Sequence, residues 1–188
     1  MAPSLSKVSI ARRPLARTPC MYPLPYTEEE CMSDWKPCAP EHLLDRIQIE
    51  DLLIMYYTAL VDFDRTSMAY HFTEDAILDI NGKIMQGHAE IDHLYSQSEA
   101  LLAENELTGT YHMLMSNPRI QVKGETATAH LLYTGLMCDD LRGPPRLVEM
   151  GREYDELVKR DGHWLISKRV LTSDAGMQDY YAENYVER

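Results

Sequence analysis

The 188-residue chain is poor in cysteine, in positive charge and in long apolar runs, and each shortage removes a class of function. Its four cysteines, Cys20, Cys31, Cys38 and Cys138, are separated by 11, 7 and 100 residues, so none forms a C-x-x-C pair. A zinc ribbon, a redox dithiol and a disulfide framework are thereby disfavoured, and reduced thiols in a cytoplasmic setting are the expectation. Eighteen Lys and Arg stand against thirty Asp and Glu, a net charge of −12. So acidic a chain is a poor partner for nucleic acid or an anionic membrane. No window approaches 18 consecutive apolar residues, so no membrane span is expected. The G-x-G-x-x-G, P-loop and G-x-S-x-G patterns are missing, which leaves dinucleotide, phosphate-cradle and serine-hydrolase chemistry without support. His88 and His93 are five apart, not the four of a helical ligand pair, so no metal site is expected.

Proline is plentiful, but in one place. Seven of the ten prolines fall in residues 1–40, a density that forbids a regular helix and predicts an extended arm. Arg12-Arg13 is followed by no apolar stretch of signal-peptide length, and Pro14 and Pro19 would break an amphipathic targeting helix. An arm laid across its own domain or a neighbouring subunit is the better reading, with Tyr22, Tyr26 and Trp35 as anchors. Residues 41–174 then form the domain proper, and 175–188 a tail whose Tyr180, Tyr181 and Tyr185 could lie over a pocket.

Within the domain, residues 43–63 have helical spacing, with Ile47, Leu53, Tyr57, Leu60 and Val61 apolar and Asp45 and Asp51 polar. A short helix over 65–72 and a longer one over 88–104, with Ile91, Leu94, Ser98 and Leu101 on one side, follow. Ala76–Ile80 reads as a strand closed by the hairpin signal Asn81-Gly82. Three long strands come last, over 110–122, 126–138 and 147–159, and a fourth over 163–171 follows an Asp161-Gly162 turn. Helices first and strands afterwards predict an α+β fold, a curved antiparallel sheet closed by three N-terminal helices into a cone. Such a cone suits a small ligand in an apolar cavity.

Several polar residues fit poorly in a plain core. Asp62 ends the first helix, where a carboxylate is disfavoured by about 0.3–1 kcal/mol, and it either partners a histidine or simply faces solvent. His112 sits among Tyr111, Met113, Leu114 and Met115 and needs a polar partner if half-buried. His130 alternates with Thr128 and Leu132 on one strand face. Arg152, between Met150 and Tyr154 on another, is either a pocket cation or a surface arginine resting on apolar neighbours.

Ile49-Glu50-Asp51-Leu52-Leu53 with Tyr57 and Asp62 resembles the opening helix of the SnoaL-like branch of the nuclear transport factor 2-like superfamily. Phe72-Thr73-Glu74-Asp75-Ala76, Gly87-His88-Ala89-Glu90-Ile91, His112 to Asn117-Pro118-Arg119-Ile120 and Gly151-Arg152-Glu153-Tyr154 through His163-Trp164-Leu165-Ile166 agree with it. The resemblance covers about residues 43–172 and is specific for the fold more than for the reaction. It implies kinship with scytalone dehydratase, bile acid 7α-dehydratase, polyketide cyclases, ketosteroid isomerase and purely binding domains. Lyases of this kind pair a strand histidine with an aspartate ending the first helix, positions matched here by His112 and Asp62, and Tyr57 matches a tyrosine one turn earlier. His112 stands five residues before Asn117, where many relatives have four. The extra residue predicts either a bulge near Pro118 or a His112 turned out of the pocket.

The resulting expectation is a cofactor-independent lyase for a small hydroxylated, aromatic substrate, eliminating water or releasing formaldehyde from an aryl propanediol. His112, Asp62 and Tyr57 are the candidate catalytic residues, and Arg152, Tyr154, His130 and Tyr133 the candidate substrate contacts. An isomerase or cyclase of a polyketide or steroid uses the same groups, and a non-catalytic binding domain is the reading from a different class. The resemblance also implies a homo-oligomer, a trimer more than a dimer.

Overall fold

Tight turns set the register of the sheet. The computed structural model describes residues 36–62, 65–104, 109–140 and 142–176. The expected arm, up to residue 35, and the tyrosines of the tail lie outside the described residues. Asn81 and Gly82, both at positive φ, close the hairpin between β1 (Phe72–Ile80) and β2 (Lys83–Gln86). Asp161 and Gly162, also at positive φ, close the hairpin between β5 (Arg146–Arg160) and β6 (His163–Ala175). Two-residue turns of this hand match the twist of the strands they join. With β3 (Thr110–Lys123) and β4 (Thr126–Cys138) they form one sheet in the order β2-β1-β6-β5-β4-β3. Only the β1–β6 pairing is parallel; the sheet is open, with β2 and β3 at its edges.

One face of that sheet is packed. Along β4, Ala127, Ala129, Leu131 and Tyr133 are buried while the residues between them are not. Helix α1 (Leu43–Val61) turns Ile49, Leu53, Tyr56 and Tyr57 into the same core, and α2 (Gly87–Glu104) contributes Ile91, Leu94 and Tyr95. Asp45 ties the start of α1 to the sheet, accepting from Lys159 Nζ at 2.7 Å and Trp164 Nε1 at 3.1 Å. Those bonds, Lys159's first, hold its carboxyl below the usual range. The inward stripe of α1 is therefore rotated from the expected one: Ile49 is buried and Ile47 exposed.

The α+β class and the sheet agree with expectation; the three closing helices do not. Among the described residues two α-helices cover the face, and Arg65–His71, expected as the middle helix, is 3-10. Four bulges re-aim side chains, one of them leaving Asp174 of β6 extra between Met150–Ala175 and Gly151–Ser173. In β3 the pairing steps from Ser116–Leu132 to Arg119–His130, so one residue is extra around Asn117, which has φ 54°. In β6 the step from Leu157–Ile166 to Glu156–Lys168 leaves Ser167 extra, its hydroxyl donating to the Glu156 carbonyl at 3.0 Å. In β5, Gly135–Glu149 followed by Leu136–Leu147 leaves Val148 extra. Each bulge shifts the alternation by one residue, which decides which polar groups meet inside.

Candidate functional site

Glu153 and Asp155, two residues apart on β5, both point to the packed face and are 2% and 0% exposed. Without the Ser167 bulge Lys168 would stand opposite Asp155; with it, Arg169 does, and Arg169 is wholly buried. Its guanidinium grips Asp155 through two bonds, Nε to Oδ1 at 2.7 Å and Nη2 to Oδ2 at 3.0 Å. The same Nη2 lies 2.9 Å from Glu153 Oε1, an ion-pair contact without the alignment of a hydrogen bond. From α1, the Tyr57 hydroxyl donates to Glu153 Oε2, and the Tyr56 ring lies flat under the guanidinium, 3.9 Å from its carbon. Tyr56 in turn shares a hydrogen bond with Tyr95 of α2 and meets the His71 ring edge-on. Four elements thus converge on one buried acid–phenol–guanidinium cluster.

Burial dominates its electrostatics. Removed from water, the Glu153 carboxyl is pushed well above the carboxylate range, and Arg169 recovers only part of that. Burial also raises the Tyr57 phenol, and the neighbouring Glu153 raises it further. Burial works against the charge of Arg169 too, but Asp155 and Glu153 outweigh it and hold the guanidinium above its usual value. The cluster therefore contains a cation, a carboxyl whose proton affinity is raised by burial and a phenol bonded to it.

Beyond Glu153 the inner face stays polar. Tyr133 of β4 stands opposite Gly151, where a Cβ would come 2.5 Å from the phenol oxygen, so only glycine leaves room for the ring. The Tyr133 hydroxyl lies 3.2 Å from Ser173 Oγ, which accepts from Asn81 Nδ2 at 2.9 Å. Farther along, Tyr111 donates to Glu149 across Gly135.

The residues picked from sequence divide between the faces. Tyr57 and Tyr133 are inside. His112 is exposed, opposite Leu136 on the outer side, while Tyr111, Met113 and Met115 turn inward. The four-residue spacing of relatives thus falls on Met113, and the two expected consequences of the extra residue, bulge and outward histidine, occur together. Asp62 is exposed; it caps α1, its backbone N–H donating to the Thr58 carbonyl at 2.9 Å. Arg152, Tyr154 and His130 line the outer face. Arg152 Nε donates to Asp174 at 3.2 Å, and the Tyr154 ring lies 4.9 Å from His130. Burial, followed by Arg119, pushes His130 down to about 4, so it is neutral at physiological pH. Glu153, Asp155, Arg169 and Tyr56 were not singled out. For Glu153 and Asp155 the signal was parity: they share the inward alternation of Leu157 and stand opposite Leu131 and Ala129. Among the described residues no three His, Cys, Asp or Glu side chains group as a metal site, and no helix is long and apolar enough to cross a membrane.

The open sheet with two helices on one face is an α+β arrangement shared with solved nuclear transport factor 2-like proteins. Residues 41–170 match the model of the SnoaL-like domain, and the chain belongs to that family. Among solved structures it is similar to a protein of unknown function from Mycobacterium tuberculosis, with 22% identity, 72% of this chain and 76% of that one covered, and TM-score 0.61. A nuclear transport factor 2-like protein with a cystatin-like fold from Novosphingobium aromaticivorans is similar at 20% identity, 76% and 90% coverage and TM-score 0.61. A protein from the same organism designated a candidate scytalone dehydratase is similar at 18% identity, 71% and 87% coverage and TM-score 0.58. At these identities the likeness is one of fold. A search of curated proteins by sequence finds no match.

Proposed function

We propose that this chain is a cofactor-independent lyase or isomerase for a small hydroxylated, aromatic molecule, with Tyr57 and Glu153 as its acid–base pair. The supporting observation is the Tyr57 hydroxyl bonded to the buried Glu153 carboxyl, whose proton affinity burial raises. In a dehydration the departing hydroxyl must gain a proton and the neighbouring carbon must lose one as the C–O bond breaks. Either member of the pair can deliver the first as a neutral acid and, as its conjugate base, the pair can take back the second, so water leaves and the pair ends as it began. Returned to a different carbon instead, the same proton gives an isomerisation. Positioned acid–base groups contribute roughly 10²–10⁴-fold. Formaldehyde release from an aryl propanediol is a version of the same chemistry in which a C–C bond breaks. The aromatic and Met-rich inner wall, with Tyr56, Tyr95, Tyr133 and Met113, suits a flat ring.

The exposure of Asp62 and His112 favours a second reading, a binding domain for the same ligands without turnover. A homo-oligomer, a trimer before a dimer, is also part of the proposal: Leu114, Leu132 and Met150 are exposed together on the outer face. Light scattering that returns a monomer would remove that element.

The test is a panel of hydroxylated aromatics, aryl propanediols and β-hydroxy ketones, followed by the ultraviolet absorbance of new conjugation. Wild type should turn over at least one compound, and folded Tyr57→Phe and Glu153→Gln should lose about 10²–10⁴-fold. Full activity in both variants would sink the assigned site. Compounds that bind by calorimetry but are never converted would establish the binding reading.

A further inference from the structure

The cluster holds two carboxyls and one guanidinium, and burying both carboxyls ionised would leave one uncompensated charge in the core. One proton removes that charge, and the contacts indicate where it goes. Asp155 receives two well-formed bonds from the Arg169 fork, at 2.7 and 3.0 Å. Glu153 receives one contact at 2.9 Å from the nitrogen that also bonds Asp155, its Oε1 has no aligned donor, and Arg169 Nη1, though unpartnered, makes no bond to it. An acceptor oxygen buried without a donor is costly, but the same oxygen carrying a proton can itself donate. Asp155, two residues along the same face, further disfavours a second negative charge on Glu153. Tyr57 serves the other oxygen.

We propose that Asp155 is a positioning residue: by occupying the Arg169 fork it keeps the guanidinium from pairing fully with Glu153, and so decides that Glu153 carries the proton. This rests on the reading of Glu153 and Tyr57 as the acid–base pair and supplies the device that arms it. The other groups facing Glu153 do not substitute for that device. Tyr57 of α1 and Tyr133 of β4 are phenols raised by burial and bring no charge, and Tyr56 is engaged by Arg169 and Tyr95. Arg169 is the one cation of the described residues that contacts Glu153, and Asp155 has the better grip on it. The Ser167 bulge is part of the arrangement, since it turns Arg169 rather than Lys168 toward Asp155.

The test is the carbon-13 titration of side-chain-labelled glutamate in the whole chain, with Glu153 assigned by its loss in Glu153→Gln. In wild type the Glu153 carbon should report a protonated carboxyl at pH 7. In Asp155→Asn, Arg169 has Glu153 as its remaining carboxylate, and the proton affinity of Glu153 should fall at least tenfold. A wild-type Glu153 already ionised at pH 7, or an affinity in Asp155→Asn that is unchanged or higher, would overturn the proposal. Should Asp155→Asn not fold, the wild-type titration decides by itself, and Asp155→Glu, which keeps the ion pair, should leave Glu153 protonated at pH 7. No substrate enters these readings, so a failure of the lyase reading, seen in the turnover panel, is distinguishable from a failure of this one.

Discussion

The two faces of strand β5 carry the same kinds of residue to opposite ends. Inward, Glu153 and Asp155 meet a wholly buried Arg169 and the phenols of α1. Outward, one residue along, Arg152 and Tyr154 meet Asp174, His130 and Glu156 at partly exposed positions. Chemically the two sets are nearly interchangeable, each with acid, arginine and phenol. Water makes the difference: the exposed set is screened and contributes little, whereas the buried set has shifted proton affinities and is costly to break. Burial, which alternates along the strand, thus sets how far a group's proton affinity moves.

The sharpest way to break that contrast is to remove the buried cation. Arg169→Ala, which leaves Glu153 and Asp155 without it, should cost about 3–5 kcal/mol in urea unfolding. Arg152→Ala, whose partner Asp174 can turn to water, should stay within about 0.5 kcal/mol. Next in size is Gly151→Ala. Its Cβ would stand 2.5 Å from the Tyr133 hydroxyl and 2.3 Å from the Thr172 carbonyl, and overpacking of this kind costs about 1–3 kcal/mol. The corresponding change at Gly124, where a Cβ meets nothing within 4 Å, has only its backbone conformation against it and should cost less.

The pH dependence of stability sharpens the contrast further. The folded state holds the Glu153 proton well above the pH, about 4.3, at which the unfolded chain releases it. Its contribution is complete below that pH and is lost as pH rises toward the raised folded value, by up to about 1.4 kcal/mol per pH unit. Glu153→Gln should flatten the profile above pH 5 when followed by denaturant midpoints. The smallest effect is expected outside: His112→Ala should move neither stability, beyond about 0.5 kcal/mol, nor turnover.

Much of this was legible in the chain. The Asn81-Gly82 and Asp161-Gly162 signals place both two-residue hairpins, and the long strands were read to within a few residues of their ends. What periodicity could not give was the face. Along Gly151–Val158 both alternations carry charged residues, so choosing Arg152 and Tyr154 over Glu153 and Asp155 was a choice without a hydrophobic guide. The small and apolar alternation of Ala127, Ala129 and Leu131 supplied one, carried across to β5 by register. The bulges were harder. A bulge near Pro118 was one of two outcomes implied by the resemblance, but the one at Ser167, which brings Arg169 inside, leaves no local mark in Leu165-Ile166-Ser167-Lys168-Arg169. Arg65–His71, called for as helix by its composition, tightens into 3-10 between α1 and β1.

In the proposed function, chemistry belongs to the buried face. The most direct measurement sets wild type, Glu153→Gln and His112→Ala side by side on the hydroxylated aromatic panel, with circular dichroism to confirm folding. The account predicts turnover in wild type and His112→Ala and a loss of about 10²–10⁴-fold in Glu153→Gln. Turnover that survives in Glu153→Gln and vanishes in His112→Ala would contradict it and place the reaction on the outer face.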